Sequence, residues 1–424
     1  MHVSETMITP SRVIWSFVAI TFVKIAAFVL LNSVAGVAPF TGDNAVDHYV
    51  PIAQRLLSEG RFNGPDSRPD SKVPPAYSTV LAATMAIAPG RYPLIMVSLQ
   101  MLADLGTAIV LFFLGRSFVG LIQAALAGAL WLLYPPEVAL STWITAETLF
   151  TTGLVAATAL MLWAMATRRT SLSFLAGILL GIATLLRGTT ILLPLAFVPL
   201  AVWHRTYRWI LPLLAGFVII VGPWAIRNRI VLDDPILVAV GFGGAFMQGA
   251  DEEAFTIDGK HPAFSRMTES AARAGIEKPN NDHEGEIDSW LFRVGLHRYV
   301  ERVRTEPWSL VPFMAKKTLL LWFSTESGSF RGQLILALCS LPIVVPGLFQ
   351  MWRWALAGTP FGAVLAVICG YFIVLHVATG PLNRYMLPVY PFLCLAASTW
   401  FLRFVDLRLH MRYARPSSPA QIPV

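Results

Sequence analysis

The chain carries about ten apolar runs near the length that crosses a bilayer: 13–35, 92–114, 118–134, 146–166, 171–186, 189–203, 208–226, 331–351, 360–378 and 385–403. A helix rises 1.5 Å per residue, so a span needs about 20 apolar residues, and several of these runs sit close to the short limit. Charged residues make up 13% of the chain, about half the roughly 25% of soluble domains. By length alone, 424 residues suggest two or three soluble domains; the apolar runs overrule that. The expected fold is an all-α polytopic membrane protein. The first run, 13–35, is long enough to span and only Arg12 precedes it closely, so it reads as an uncleaved anchor, although small Gly36 and Ala38 would also suit a cleaved signal peptide.

The net charge of +7 does not point to nucleic acid, because many basic residues lie in short connections between apolar runs. Arg116, Arg168 and Arg169, Arg205 and Arg208, and Arg353 fall on alternate connections, with Arg403, Arg408, Arg412 and Arg415 in or beside the tail. The positive-inside rule puts these in the cytoplasm together with both termini. The opposite side then receives 36–91, 134–146, 187–189, 227–330 and 379–384, so both long polar segments emerge together. Cys339, Cys369 and Cys394 all lie in apolar runs and read as small buried hydrophobes.

Residues 42–60 combine two acids with an amphipathic helix. Tyr49, Ile52, Ala53, Leu56 and Leu57 share one face, Pro51 belongs in the first turn and Gly60 is a natural stop. Asp43 and Asp47 stand ahead of the helix at the water boundary. Either carboxylate suits a general base for an acceptor hydroxyl, or a ligand for a divalent metal; Asp47 equally suits a helix cap. Segment 76–88 is about half a span and reads as re-entrant or surface-lying. In 227–330, Ile287, Leu291, Val294, Val300 and Val303 predict an amphipathic helix ending near Glu306, and Pro307 opens an apolar but basic one.

The candidate site residues gather on the outer side. Lys72, after Ser71 and before Pro74-Pro75, is placed at the interface to meet a phosphate, or simply to snorkel. Arg187 lies in a very short connection, Arg227 and Asn228 close the 208–226 run, and Arg384 and Tyr385 precede the last one. Three arginines thus depart from the positive-inside trend, and guanidinium forks match phosphate oxygens, whether of a substrate or of headgroups. Glu147 begins the 146–166 run, where a carboxylate also suits the helix dipole. Asp104 lies mid-span, functional or paired, with Lys24 as its expected partner. An acid beside several cations at a lipid-facing boundary suggests a lipid phosphate as leaving group. A G-x-x-x-x-G-K-[ST] loop for a nucleotide donor is absent.

These pieces resemble the GT-C superfamily of membrane glycosyltransferases, in the branch of protein O-mannosyltransferases and lipid A aminoarabinose transferases (glycosyltransferase family 39-like). The matching stretches run from Gly42-Asp43 through Tyr49 to Leu57, then Lys72 to Tyr77, Thr145 to Phe150, Gly181 to Arg187, Pro223 to Asn228, Gly243 to Phe246 and Arg384 to Pro391. The resemblance implies transfer of a sugar from a polyprenyl-phosphate carrier on the periplasmic or lumenal side, with inversion at the sugar carbon. It maps the family's first-loop acid onto Asp43, and its phosphate-contacting cations onto Lys72, Arg187, Arg227 and Arg384. Where O-mannosyltransferases carry Asp-Glu, this chain has Asp43-Asn44, with Asp47 further on. The large soluble domain of those enzymes is missing, which disfavours a protein acceptor. The expected acceptor is an envelope lipid A, polysaccharide, lipid or protein, and no cofactor is expected beyond a possible divalent metal at Asp43 and Asp47.

The expected organisation is a catalytic transmembrane module over 1–226 with a periplasmic loop at 36–91, a periplasmic loop with amphipathic helices at 227–330, transmembrane helices over 331–403 and a basic cytoplasmic tail at 404–424. The expected location is the inner membrane. A transporter or lipid-linked-glycan flippase is the alternative from another class; transporters typically show related halves with broken helices, and no such repeat is found here. A glycan polymerase or ligase would share the lipid-phosphate chemistry.

Overall fold

A computed structural model of the chain describes residues 9–35, 49–64, 67–203, 207–253, 262–280, 283–325 and 329–413. Its first half comprises α1 (Pro10–Ala35), α2 (Tyr49–Glu59), α3 (Pro75–Ile87), α4 (Tyr92–Phe118), α5 (Leu121–Leu132), α6 (Pro135–Leu140), α7 (Glu147–Thr167) and α8 (Thr170–Leu186). There follow α9 (Leu193–Ala196), α10 (Val198–Trp203), α11 (Tyr207–Val231), α12 (Phe242–Gly249), α13 (Pro262–Arg273), α14 (Glu284–Thr305) and α15 (Leu310–Leu320). The chain closes with α16 (Phe330–Leu356), α17 (Pro360–Ala378), α18 (Asn383–Met386) and α19 (Tyr390–Tyr413). No strand is present among the described residues.

Among the described residues, seven helices are long and apolar enough to cross a membrane: Pro10–Val34, Tyr92–Phe118, Glu147–Thr167, Tyr207–Val231, Phe330–Leu356, Pro360–Ala378 and Asn383–Phe404. The other three apolar runs form shorter helices. Gly120, at φ +136°, breaks the chain after α4, so 118–134 yields only Leu121–Leu132. The 171–186 run becomes the 17-residue α8. The run at 189–203 is interrupted at Pro194 and Pro199 into a 3-10 turn, α9 and α10, because proline cannot supply the interior helix N–H. Several helices keep bare apolar faces; Trp15, Phe22 and Val34 on α1 and Phe330 on α16 are mostly exposed, as suits lipid contact.

The amphipathic helices form where periodicity places them. In α2, Tyr49, Ile52 and Ala53 are buried, while Leu57, expected on the same face, is exposed at the far end. Gly60 stops the helix in the left-handed region at φ +65°. α14 ends one residue before Glu306 and α15 follows a 3-10 turn opened by Pro307. The half-span at 76–88 is α3, packed on α2 through Tyr77 and Tyr49, whose ring centroids lie 4.7 Å apart. α11 continues to Val231, so Arg227 and Asn228 sit within its last turns and not beyond its end.

Helices α7, α8, α11 and α17 run between two ends of the bundle. At one end lie the start of α7, the ends of α8, α11 and α17, and the long loops; at the other lie the turns that bear Arg168, Arg169 and Arg208. Glycine brings α8 and α11 into backbone contact. A Cβ on Gly177 would lie 2.0 Å from the Leu213 carbonyl oxygen, and one on Gly216 would lie 2.3 Å from that of Phe174.

Candidate functional site

The loop end is organised around Glu147. It opens α7, where the unpaired N–H groups favour an anion, and it is 3% exposed. Arg187, the residue that ends α8, donates from Nη1 to Glu147 Oε1. Arg384 of α18 brings its Nε to 3.9 Å from the same oxygen. Two guanidinium groups thus share one carboxylate, and each side chain remains about a fifth exposed. Their charge exceeds that of Glu147 by one.

Aromatic rings hold the pair. Tyr385 lies 4.9 Å from the Arg187 guanidinium carbon and 5.2 Å from that of Arg384, both within cation–π range. His376, near the end of α17, stacks on the Tyr385 ring at 5.1 Å. The imidazole is 4% exposed, and neither of its ring nitrogens has a hydrogen-bond partner among the described residues. Tyr49 approaches Arg187 from α2. Behind it, the Tyr77 hydroxyl donates to Gln100 Oε1, and Gln100 Nε2 donates to the carbonyls of Ser141 and Trp143, fixing the turn that leads to Glu147.

A second polar cluster adjoins the first. Lys24 of α1 pairs with Asp104 at 3.2 Å, as the sequence suggested. Thr148, the neighbour of Glu147, donates to Glu137 Oε1 at 3.0 Å. Asp104 and Glu137 interact, and Asp104 Oδ1 and Glu137 Oε2 each lack a fixed donor. Burial pushes the Glu137 carboxyl well above the usual carboxylate range, and Asp104 beside it adds to the shift.

Lys72 and Arg227, expected beside the same phosphate, have other partners. Lys72 Nζ lies 3.4 Å from Glu284 Oε1, and Ser71 donates to the other oxygen of that carboxylate at 2.7 Å. Arg227 stacks on Trp224 at 4.7 Å and donates to the Phe62 carbonyl at 3.1 Å and to Asn228 Oδ1 at 3.0 Å. Asn228 in turn donates to the Ile236 carbonyl. The two groups share a wall: Trp224 Nε1 donates to the Val238 carbonyl, Val240 N donates to that of Ser71, and a Cβ on Gly188 would touch Val238 at 3.6 Å.

Asp43 and Asp47 lie outside the described residues. Among the described residues, no three His, Cys, Asp or Glu side chains gather as metal ligands. His376 and Glu137 received no weight in the sequence reading, though a titratable side chain within or beside an apolar run is itself a signal.

Residues 72–226 match the family model described as dolichyl-phosphate-mannose-protein mannosyltransferase. In fold, the chain is similar to the archaeal oligosaccharyltransferase AglB from Archaeoglobus fulgidus in complex with an inhibitory peptide and a dolichol-phosphate. The TM-score is 0.55 at 13% identity, covering 97% of this chain and 52% of that one. The apo form of the Archaeoglobus fulgidus oligosaccharyltransferase gives 0.55 at 13% identity, covering 94% and 51%. ArnT from Cupriavidus metallidurans bound to undecaprenyl phosphate gives 0.44 at 15% identity, covering 98% and 82%. The chain spans about half the length of the oligosaccharyltransferase it matches. No curated protein matches it in sequence.

Proposed function

We propose, from the premise that the chain is a polytopic membrane protein of the GT-C glycosyltransferase superfamily, that it moves a sugar from a polyprenyl-phosphate carrier to an acceptor in the cell envelope. The observation that carries this reading is the convergence of Arg187 and Arg384 on one buried carboxylate at the loop end, two guanidinium forks suited to phosphate oxygens. Arg187 and Arg384 take the donor phosphate, and Glu147 holds both forks in place. The acceptor hydroxyl oxygen attacks the anomeric carbon from the face opposite the phosphate, and a carboxylate takes its proton. The bond from that carbon to the phosphate oxygen breaks, and the phosphate leaves with its carrier while the arginines stabilise the growing charge. The sugar carbon is inverted.

Asp43 is the base in this reading, with Asp47 as its neighbour. Support comes from Tyr49, which opens the helix following these acids and approaches Arg187. Lys72, Arg227, Asn228 and Tyr385 shape the surrounding wall. Residues 1–226 form the catalytic module, and 227–330 form a loop region over the same periplasmic end, in an inner-membrane enzyme with both termini cytoplasmic.

The test begins with mass spectrometry of envelope lipids and glycans with and without the protein, which identifies sugar and acceptor. Transfer by purified Asp43→Ala protein and binding of undecaprenyl phosphate by Arg187→Gln protein are then measured. Loss of transfer in the first and of binding in the second are expected. Undiminished transfer by Asp43→Ala would overturn the assignment of the base.

A further inference from the structure

The end of the bundle remote from Glu147 holds a cavity of about 690 Å³ between α4, α7, α8, α11 and α17. That is within the range of small-molecule sites. α7 has 21 residues, which puts the cavity about 30 Å from the Glu147 site along that helix. The floor is apolar, made by Phe118, Leu162, Met165, Trp209 and Phe361. Arg168, Arg169 and Arg208 also line it, and among the described residues no Asp or Glu does.

The helix starts add to the positive potential. α8, α11 and α17 each begin at this cavity, at Thr170, Tyr207 and Pro360, so the positive ends of three helix dipoles lie there, that of α17 capped by Thr359 Oγ1. Arg168 is the left-handed C-cap of α7, at φ +56°, and turns the chain toward α8 at the cavity. None of the three arginines has a hydrogen bond or ion pair among the described residues. A cavity with this polarity suits an anion, and its apolar floor suits a hydrocarbon chain attached to that anion.

We propose that this cavity binds one anionic phospholipid, with the phosphate held by Arg168, Arg169 and Arg208 and an acyl chain lying on the Phe118–Phe361 floor. Those two rings stack at 4.9 Å and give the chain a flat bed. The site is separate from the proposed sugar-transfer site and does not depend on that reading. A soluble phosphate would gain the same cations but leave the floor in water, so lipid is favoured over free anion.

Native mass spectrometry of the detergent-purified full chain tests this, with dioleoylphosphatidate as probe. Dioleoylglycerol lacks the phosphate, and inorganic phosphate lacks the chain. We expect one phosphatidate per protein, no retained dioleoylglycerol, and no displacement by equimolar inorganic phosphate. The R168Q/R169Q/R208Q variant should bind at least tenfold more weakly. Ala166→Trp, which fills the cavity from the exposed last turn of α7 and leaves the arginines in place, should bind as weakly. Unchanged melting temperatures establish that both variants fold. Full binding by the arginine variant, equal retention of dioleoylglycerol, displacement by inorganic phosphate, or full binding by Ala166→Trp would each overturn the proposal.

Discussion

The two ends of α7, α8, α11 and α17 pose the same electrostatic problem and solve it differently. At the loop end, Arg187 and Arg384 are drawn onto Glu147 and framed by Tyr385 and His376. At the turn end, Arg168, Arg169 and Arg208 surround an apolar cavity with no carboxylate in its lining. An internal counter-ion fixes guanidinium groups in one geometry before any substrate arrives, which is what stabilising a developing charge requires. Cations without one keep their conformational freedom, which suits retention of a lipid and not transition-state chemistry. The ends differ in preorganisation more than in charge.

The largest expected effect separates them by chemistry. Arg187→Gln and Arg384→Gln should each lower sugar transfer roughly 100-fold or more, the range seen when one preorganised charge-stabilising donor is removed. The R168Q/R169Q/R208Q variant should change it by less than about 2-fold, since it touches no group that stabilises the developing charge. Initial rates with a lipid-linked donor provide the check, and equal losses at both ends would break the comparison.

Between the ends, the Lys24–Asp104–Glu137 cluster is a stability device in this reading. Lys24→Met leaves a buried carboxyl without its cation and should cost roughly 3–5 kcal/mol, read as lost thermal stability. Asp104→Asn keeps a hydrogen-bonding group beside Glu137 and should cost less, with transfer preserved. A transporter would instead lose its function through Asp104→Asn, so the variant also discriminates between the two readings.

A smaller effect comes from Lys317, buried in α15 at the loop end with Nζ on the Gly249 carbonyl at 2.6 Å and the Tyr299 hydroxyl at 3.1 Å. Burial, reinforced by Arg302, lowers its amine from 10.5 to about 7. The unfolded chain therefore holds this proton between pH 7 and about 10 while the folded chain releases it, so the lysine's contribution to stability rises with pH across that window. Below pH 7 both states are protonated and the slope vanishes. Melting temperatures at pH 7 and 9 should rise less in Lys317→Met than in the parent protein.

The sequence was informative about membership of an end and poor at partnership. Periodicity marks α2 and α14, and the cost of a mid-span charge pairs Lys24 with Asp104. Sidedness put Lys72, Arg187, Arg227 and Arg384 together, but it could not show that Glu284 from the large loop would meet Lys72 or that the Phe62 carbonyl would meet Arg227. Those contacts come from chain that folds back over more than a hundred residues, where no local spacing signals them. Glu137 escaped for the same reason: its partner Asp104 lies on another helix. The short helices at 118–134 and 189–203 came from local breaks that a hydrophobicity criterion passes over.

The reciprocal glycines Gly177 and Gly216 make α8 and α11 a splint, fastened main chain to main chain. Arg187 leaves one member of that splint and Arg227 sits near the end of the other, so the splint sets the separation of their Cα anchors. If a donor phosphate enters between Arg187 and Arg384 as proposed, the splint holds while α17 and α18, which lead to Arg384, shift relative to α8. Spin labels on α8 and α11 should report one spacing with and without undecaprenyl phosphate, while a pair across α8 and α17 should report two; movement inside the splint would refute this.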